Sequence, residues 1–173
     1  YAREALSLLE AKGEFGEDPP LLRQLKGLIL RGELRDAAHT VGITNDRVTF
    51  LDLPFYEQGR YRRFKSTQAD IDALTRLLLE HKPHQIYVTG DAADPSSVSG
   101  ICFRLLVAAL QACAGEEFAG SCSVWLYRGK ERPLEPHEID MAIPMSPLQL
   151  ERKGNAISRY GALSSLEREA PEI

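Results

Sequence analysis

The residues best placed to do chemistry fall in two short stretches, Asp52-Leu53-Pro54-Phe55-Tyr56-Glu57 and Gly90-Asp91-Ala92-Ala93-Asp94-Pro95-Ser96-Ser97-Val98-Ser99. The first sets two carboxylates around a phenol. The second sets two carboxylates ahead of three serines. Proton transfer by a carboxylate and attack by a serine hydroxyl are the reactions such groups offer. Each group also has a structural reading. Acids that follow a strand sit well at the N-terminus of the next helix, whose dipole favours them. Serines at the same place cap that helix. No strand–Gly-x-Ser-x-Gly turn surrounds Ser96, Ser97 or Ser99, so capping is the better reading of the serines. His39, His81, His84 and His137 show no ligand spacing, and none is assigned to a metal.

The elements that must position these stretches follow from hydrophobic periodicity. A helical pattern runs from Tyr1 to about Lys12, with Ala5, Leu8 and Leu9 on one face. Two glycines, three acids and Pro19-Pro20 then break the chain. Leu21 to Val41 repeats apolar residues at helical spacing and ends at Gly42, where a glycine can terminate a helix. Gln68 to His81 is an amphipathic helix with Ser66 and Thr67 as candidate caps, stopped by Pro83. Val98 to Cys113 is apolar enough for a buried helix, and Ser146-Pro147 opens a last one. Between them, Val48–Leu53, Gln85–Thr89, Ser123–Tyr127 and Glu138–Ile143 read as short strands, with Trp125 in the core. Helices alternating with buried strands predict an α/β fold: a three-layer Rossmann-like sandwich with a mostly parallel sheet. Sites in such sheets lie beyond the carboxyl ends of the strands, which is where both stretches fall. No Gly-x-Gly-x-x-Gly follows any strand, so a dinucleotide site is not expected.

Composition narrows the partners. The 173 residues suit one domain, with 43% hydrophobic and 27% charged residues and a net charge of −4. That charge argues against nucleic acid and anionic membrane as main partners. The basic run Arg60-Tyr61-Arg62-Arg63 with Lys65 reads as a solvated loop. Cys102, Cys113 and Cys122 make no metal-type pair and no complete disulfide set, so the cytoplasm is the expected compartment. No apolar run reaches the roughly 20 residues that cross a bilayer. The chain opens in a helical pattern at Tyr1, which leads us to expect further sequence ahead of it.

A family resemblance rests on ordered matches. Lys26-Gly27-Leu28-Ile29 with Arg31-Gly32-Glu33, and Val41-Gly42-Ile43, are similar to the Arg-x-Glu helix and Leu-Gly-Val turn of LmbE-type (PIG-L-type) N-acetylglucosaminyl deacetylases. Phe50 to Glu57, Lys82-Pro83-His84-Gln85-Ile86-Tyr87, Gly90-Asp91-x-x-Asp94-Pro95, Trp125 to Gly129 and Glu138 to Pro147 continue it. These resemble the deacetylase-like domain that some bacteria fuse to glucosamine-6-phosphate deaminase (isomerase). The resemblance covers about Pro19 to Ile157. It implies one LmbE-like α/β domain over residues 1–173, lacking its N-terminal first strand and loop.

Enzymes of that family hold zinc with a His and an Asp of a His-Pro-Asp-Asp loop and a distant His, and use a second Asp as general base. Three ligands leave a position open for water, whose pKa the metal lowers toward about 7. This chain has no His-Pro-Asp-Asp, and Asp94-Pro95-Ser96-Ser97-Val98-Ser99 stands where the family has Asp-Pro-His-Gly-Thr-His. Asn155-Ala156-Ile157 leads to Tyr160 where another His is expected. The resemblance thus implies a pocket of Arg31, Glu33, Asp52, Tyr56, Glu57, Asp91, Asp94, Ser96 and Ser99, with no zinc and no other cofactor. Its ligand would be an amino sugar or sugar phosphate, its partner a deaminase-type domain, and a homo-oligomer is left open. The leading reading is a catalytically degenerate deacetylase-like domain of amino-sugar metabolism that serves binding or packing. The alternative is an active zinc deacetylase completed by residues upstream of Tyr1.

Overall fold

The computed structural model describes residues 2–12, 18–58, 65–89, 97–128 and 133–161. Its elements are α1 (Ala2–Lys12), α2 (Pro20–Thr40), α3 (Gln68–His81), β1 (Gln85–Thr89), α4 (Val98–Ala112), α5 (Glu117–Ser121), β2 (Ser123–Tyr127) and α6 (Pro147–Arg159). The architecture is mixed, mostly helical, with one small parallel sheet. The chain divides into two compact units, residues 1–49 with 143–173 and residues 50–142.

In the second unit, local sequence signals set the helix limits. Thr67 and Asp70 form a capping box at the start of α3, and Lys82 ends it in the left-handed region at φ 44 ahead of Pro83. Ser97 caps α4 by accepting the Gly100 N–H at 3.0 Å. Ile101, Leu105, Leu106 and Ala109 then repeat at helical spacing and are all buried. Two apolar clusters result. Leu78, Leu106, Ala109, Cys113 and Phe118 form one, with Ile86 and Val88 of β1 packed against it. Leu53, Phe55, Ile101 and Leu105 form the other, with Ile71, Leu74 and Cys102 against it. Burial pushes the Cys113 and Cys102 thiols up, as suits small core residues.

β1 and β2 pair in parallel from Gln85↔Ser123 to Thr89↔Tyr127. Ile86 and Val88 face the helices, while Tyr87 on the other side is exposed. Trp125 is half-buried, less enclosed than its expected core position, and its Nε1 has no acceptor among the described residues.

Two expected strands are corrected. Val48–Leu53 joins no ladder, because Asp52 turns into the left-handed region at φ 46 and Leu53 already opens a 3-10 turn through Pro54–Gln58. Glu138–Ile143 is also unpaired: a 3-10 turn at Pro136–Glu138 bends its start, and Ile139, Met141 and Ile143 are exposed. The described sheet therefore has two strands, and a three-layer sandwich is not among the described residues.

The first unit consists of α1, α2 and α6. Pro20 in the first turn of α2 and Pro147 in that of α6 lie where a missing N–H costs nothing. α2 packs along α6 and carries the buried Leu22. α1 is tied to α2 by Asp18, whose carboxylate meets Lys12 and Lys26 at 2.6 Å each. Those hydrogen bonds, Lys12 first, hold the Asp18 carboxyl below its ordinary value.

Asp70 is the one charged residue in the described core, at 0% exposure. It accepts from Phe55 N–H at 3.0 Å, Thr67 N–H at 2.7 Å and the Thr67 hydroxyl at 2.8 Å. Burial alone would raise its carboxyl, but the Phe55 and Thr67 hydrogen bonds outweigh that and hold it below the ordinary 3.8. Because the folded value is the lower one, the stabilisation is full above the unfolded value and is lost as pH falls through the folded one. Asp70→Ala removes a cap and the carboxylate acceptor of the buried Phe55 N–H, so urea unfolding should show a loss of about 2–4 kcal/mol at neutral pH. The gap between parent and variant should narrow as the titration is repeated at pH below 3.8.

Candidate functional site

The segment that carries Asp52 and Tyr56 is held from below. Leu53 and Phe55 enter the cluster with Ile101 and Leu105 of α4, and the Phe55 N–H is fixed by Asp70. The Tyr56 N–H closes the turn onto the Leu53 carbonyl at 3.0 Å. With Leu53 and Phe55 drawn inward, the positions on either side of them face outward. Asp52 is exposed, and Tyr56 is 62% exposed, resting its edge on the Phe55 ring with centroids 6.0 Å apart. Glu57 lies on the same turn, its side chain outside the described residues.

Ser99 sits half-buried in the first turn of α4, two positions before Ile101. The Ile101–Leu105 cluster therefore brings the 52–56 segment and the first turns of α4 into one neighbourhood. Asp91, Asp94 and Ser96 lie outside the described residues.

Arg31 and Glu33 belong to the other unit, on α2, and both are half-buried rather than fully solvated. The Glu33 carboxylate lies against Gly161, just beyond α6: a Cβ at position 161 would stand 3.1 Å from Glu33 Oε1. The Arg-x-Glu stretch and the segment after Asn155-Ala156-Ile157, matched separately by resemblance, thus meet within that unit.

Two positioning residues were missed in the sequence, Asp70 and Phe55. The Thr67-x-x-Asp70 spacing is a legible capping signal, but nothing local says that the same carboxylate reaches back 15 positions to Phe55. Ser99 offers a neutral hydroxyl, a poor zinc ligand, and among the described residues no three of His, Cys, Asp and Glu come together. No described helix is long and apolar enough to cross a membrane.

Comparison with known proteins gives one relative at high similarity. Over 159 residues the chain is 40% identical to a glucosamine-6-phosphate deaminase-like protein of Bacteroides thetaiotaomicron, a stretch that is 91% of this chain and 24% of that protein. The chain therefore spans about a quarter of the relative's length. No protein-family profile matches the chain, and no solved structure does.

Asp52 combines a candidate role with a left-handed backbone at φ 46. Asn tolerates that conformation, whereas a β-branched side chain does not. Asp52→Val should be less stable than Asp52→Asn by about 1–2 kcal/mol in chemical denaturation. Equal stabilities would show that the turn relaxes out of the left-handed region.

Proposed function

We propose that this chain is a module of amino-sugar metabolism that works alongside a glucosamine-6-phosphate deaminase-type domain. On this reading it keeps an LmbE-type deacetylase scaffold without the zinc chemistry. The observation that carries the reading is the 40% identity to the deaminase-like protein over 91% of this chain. Identity spread over that length concerns a whole scaffold and not a motif. Residues 1–173 then belong to one LmbE-like domain, with the β1–β2 pair part of the mostly parallel sheet of a three-layer sandwich.

The residue chemistry supports a binding role over hydrolysis. Hydrolysis of an N-acetyl group needs a metal-bound hydroxide, a base and a donor for the developing oxyanion. Ser96 and Ser99 replace the two imidazoles of the family pattern, removing a cationic donor and a ligand together. The carboxylates and hydroxyls that remain, Asp52, Tyr56, Asp91 and Asp94, are suited to the hydroxyl and ammonium groups of an amino sugar or its phosphate ester.

Two measurements test this. Acetate release from N-acetylglucosamine and its 6-phosphate, assayed with added zinc, should stay at the buffer rate; stoichiometric zinc with turnover abolished by Asp94→Ala would overturn the non-hydrolytic reading. Size-exclusion chromatography with a glucosamine-6-phosphate deaminase should show co-elution, and separate elution at every ratio would remove the proposed partner.

A further inference from the structure

Among the described residues, β2 leaves one edge open. Ser123 donates to the His84 carbonyl at 2.9 Å, so the odd-numbered backbone groups of β2 face β1. By the alternation of a strand, the N–H and C=O groups of Val124 and Leu126 point the other way. β2 is the last strand of the described sheet on that side. Its sequence, Ser-Val-Trp-Leu-Tyr, has no charge and no proline, and it therefore lacks the usual guards against unwanted edge pairing. Val124 and Leu126 are exposed at 37% and 49%.

A segment a few residues on has the complementary pattern. Ile139, Met141 and Ile143 alternate with Asp140 and Ala142, and the three apolar side chains are 46%, 39% and 68% exposed. That is the period of a strand with one apolar face. One end is already fastened, since Arg128, directly after β2, holds Glu138 at 3.3 and 3.4 Å. An ion pair of this kind is what directly opposed residues of an antiparallel pair make.

We propose that residues 138–142 are a strap that closes antiparallel onto the free edge of β2, with Glu138 opposite Arg128. The register then follows by counting. Asp140 faces Leu126 and Ala142 faces Val124, the two positions whose backbone groups point outward. Ile139 and Met141 fall opposite Tyr127 and Trp125, on the face where Tyr127 is 52% exposed and Trp125 half-buried. Closure satisfies the outward groups of β2 and covers apolar side chains of both partners. The unpaired segment described above, with its 3-10 turn at Glu138 and its bend at Asp140, is the open form of the same device.

Amide hydrogen exchange on the whole chain tests this residue by residue. Closure should slow the Val124 and Leu126 amides at least about tenfold relative to unstructured peptide. Asp140→Pro removes the N–H that would donate to the Leu126 carbonyl and breaks the ladder there, so it should abolish that slowing while the Ile101–Ala109 amides of α4 stay protected. Glu138→Lys should weaken it. Free exchange at Val124 and Leu126 beside a protected Trp125 amide would overturn the strap. So would protection that survives Asp140→Pro and grows with protein concentration, since the edge would then be covered by a second copy.

Discussion

A single carboxylate joins the parts of the second unit that sequence separates. Asp70 closes the first turn of α3 through Thr67 and, from the other oxygen, takes the Phe55 N–H. Without it, α3 would still be an amphipathic helix and Phe55 still an apolar ring, but the hydrogen bond that ties the Phe55 N–H to the start of the helix would be lost. A buried carboxylate is costly unless hydrogen bonds replace its water, and here three donors do so. The exposed positions of Asp52 and Tyr56 are consequences of that anchoring, because Leu53 and Phe55 are drawn inward between them.

Where local signals and tertiary contacts agree, the chain is legible. α3 and β1 begin and end where the apolar stripe, the caps and Pro83 place them, and β2 likewise coincides with its run of β-forming residues. α4 runs from Val98 because Ser97 accepts from Gly100 as an N-cap serine should. Val48–Leu53 departs from its expected strand because a β-forming run says nothing about whether a partner strand is at hand. Its backbone instead turns left-handed at Asp52 and enters a 3-10 turn. The candidate site is legible in part. The outward display of Asp52 and Tyr56 follows from alternation with Leu53 and Phe55, whereas the Glu33–Gly161 approach joins residues 128 positions apart and has no local sign.

The two units bury their surface differently. In the second unit helices, strand and turn share two contiguous apolar clusters. In the first, Leu22 is the buried apolar residue among those described, while Leu28, Ile29, Leu148 and Leu150 are each 57–60% exposed. Helices of this length gain most of their stability from packing an apolar face and little from propensity. The described helices of the first unit also carry marked ends and pairs: proline-initiated first turns, the Ser146–Gln149 capping box, and ions.

The Asp18 triad gives those ions an environmental meaning. One carboxylate bridges a lysine at the end of α1 and a lysine in the second turn of α2, with the Lys26 side chain half in solvent. Attractions of that kind weaken as counterions gather: the Debye length is about 8 Å at physiological ionic strength and about 3 Å at 1 M. The apolar clusters of the second unit carry no such dependence. The first helix is thus docked in part by a contact that dissolved salt weakens, and the exposed Lys26 arm feels that weakening most.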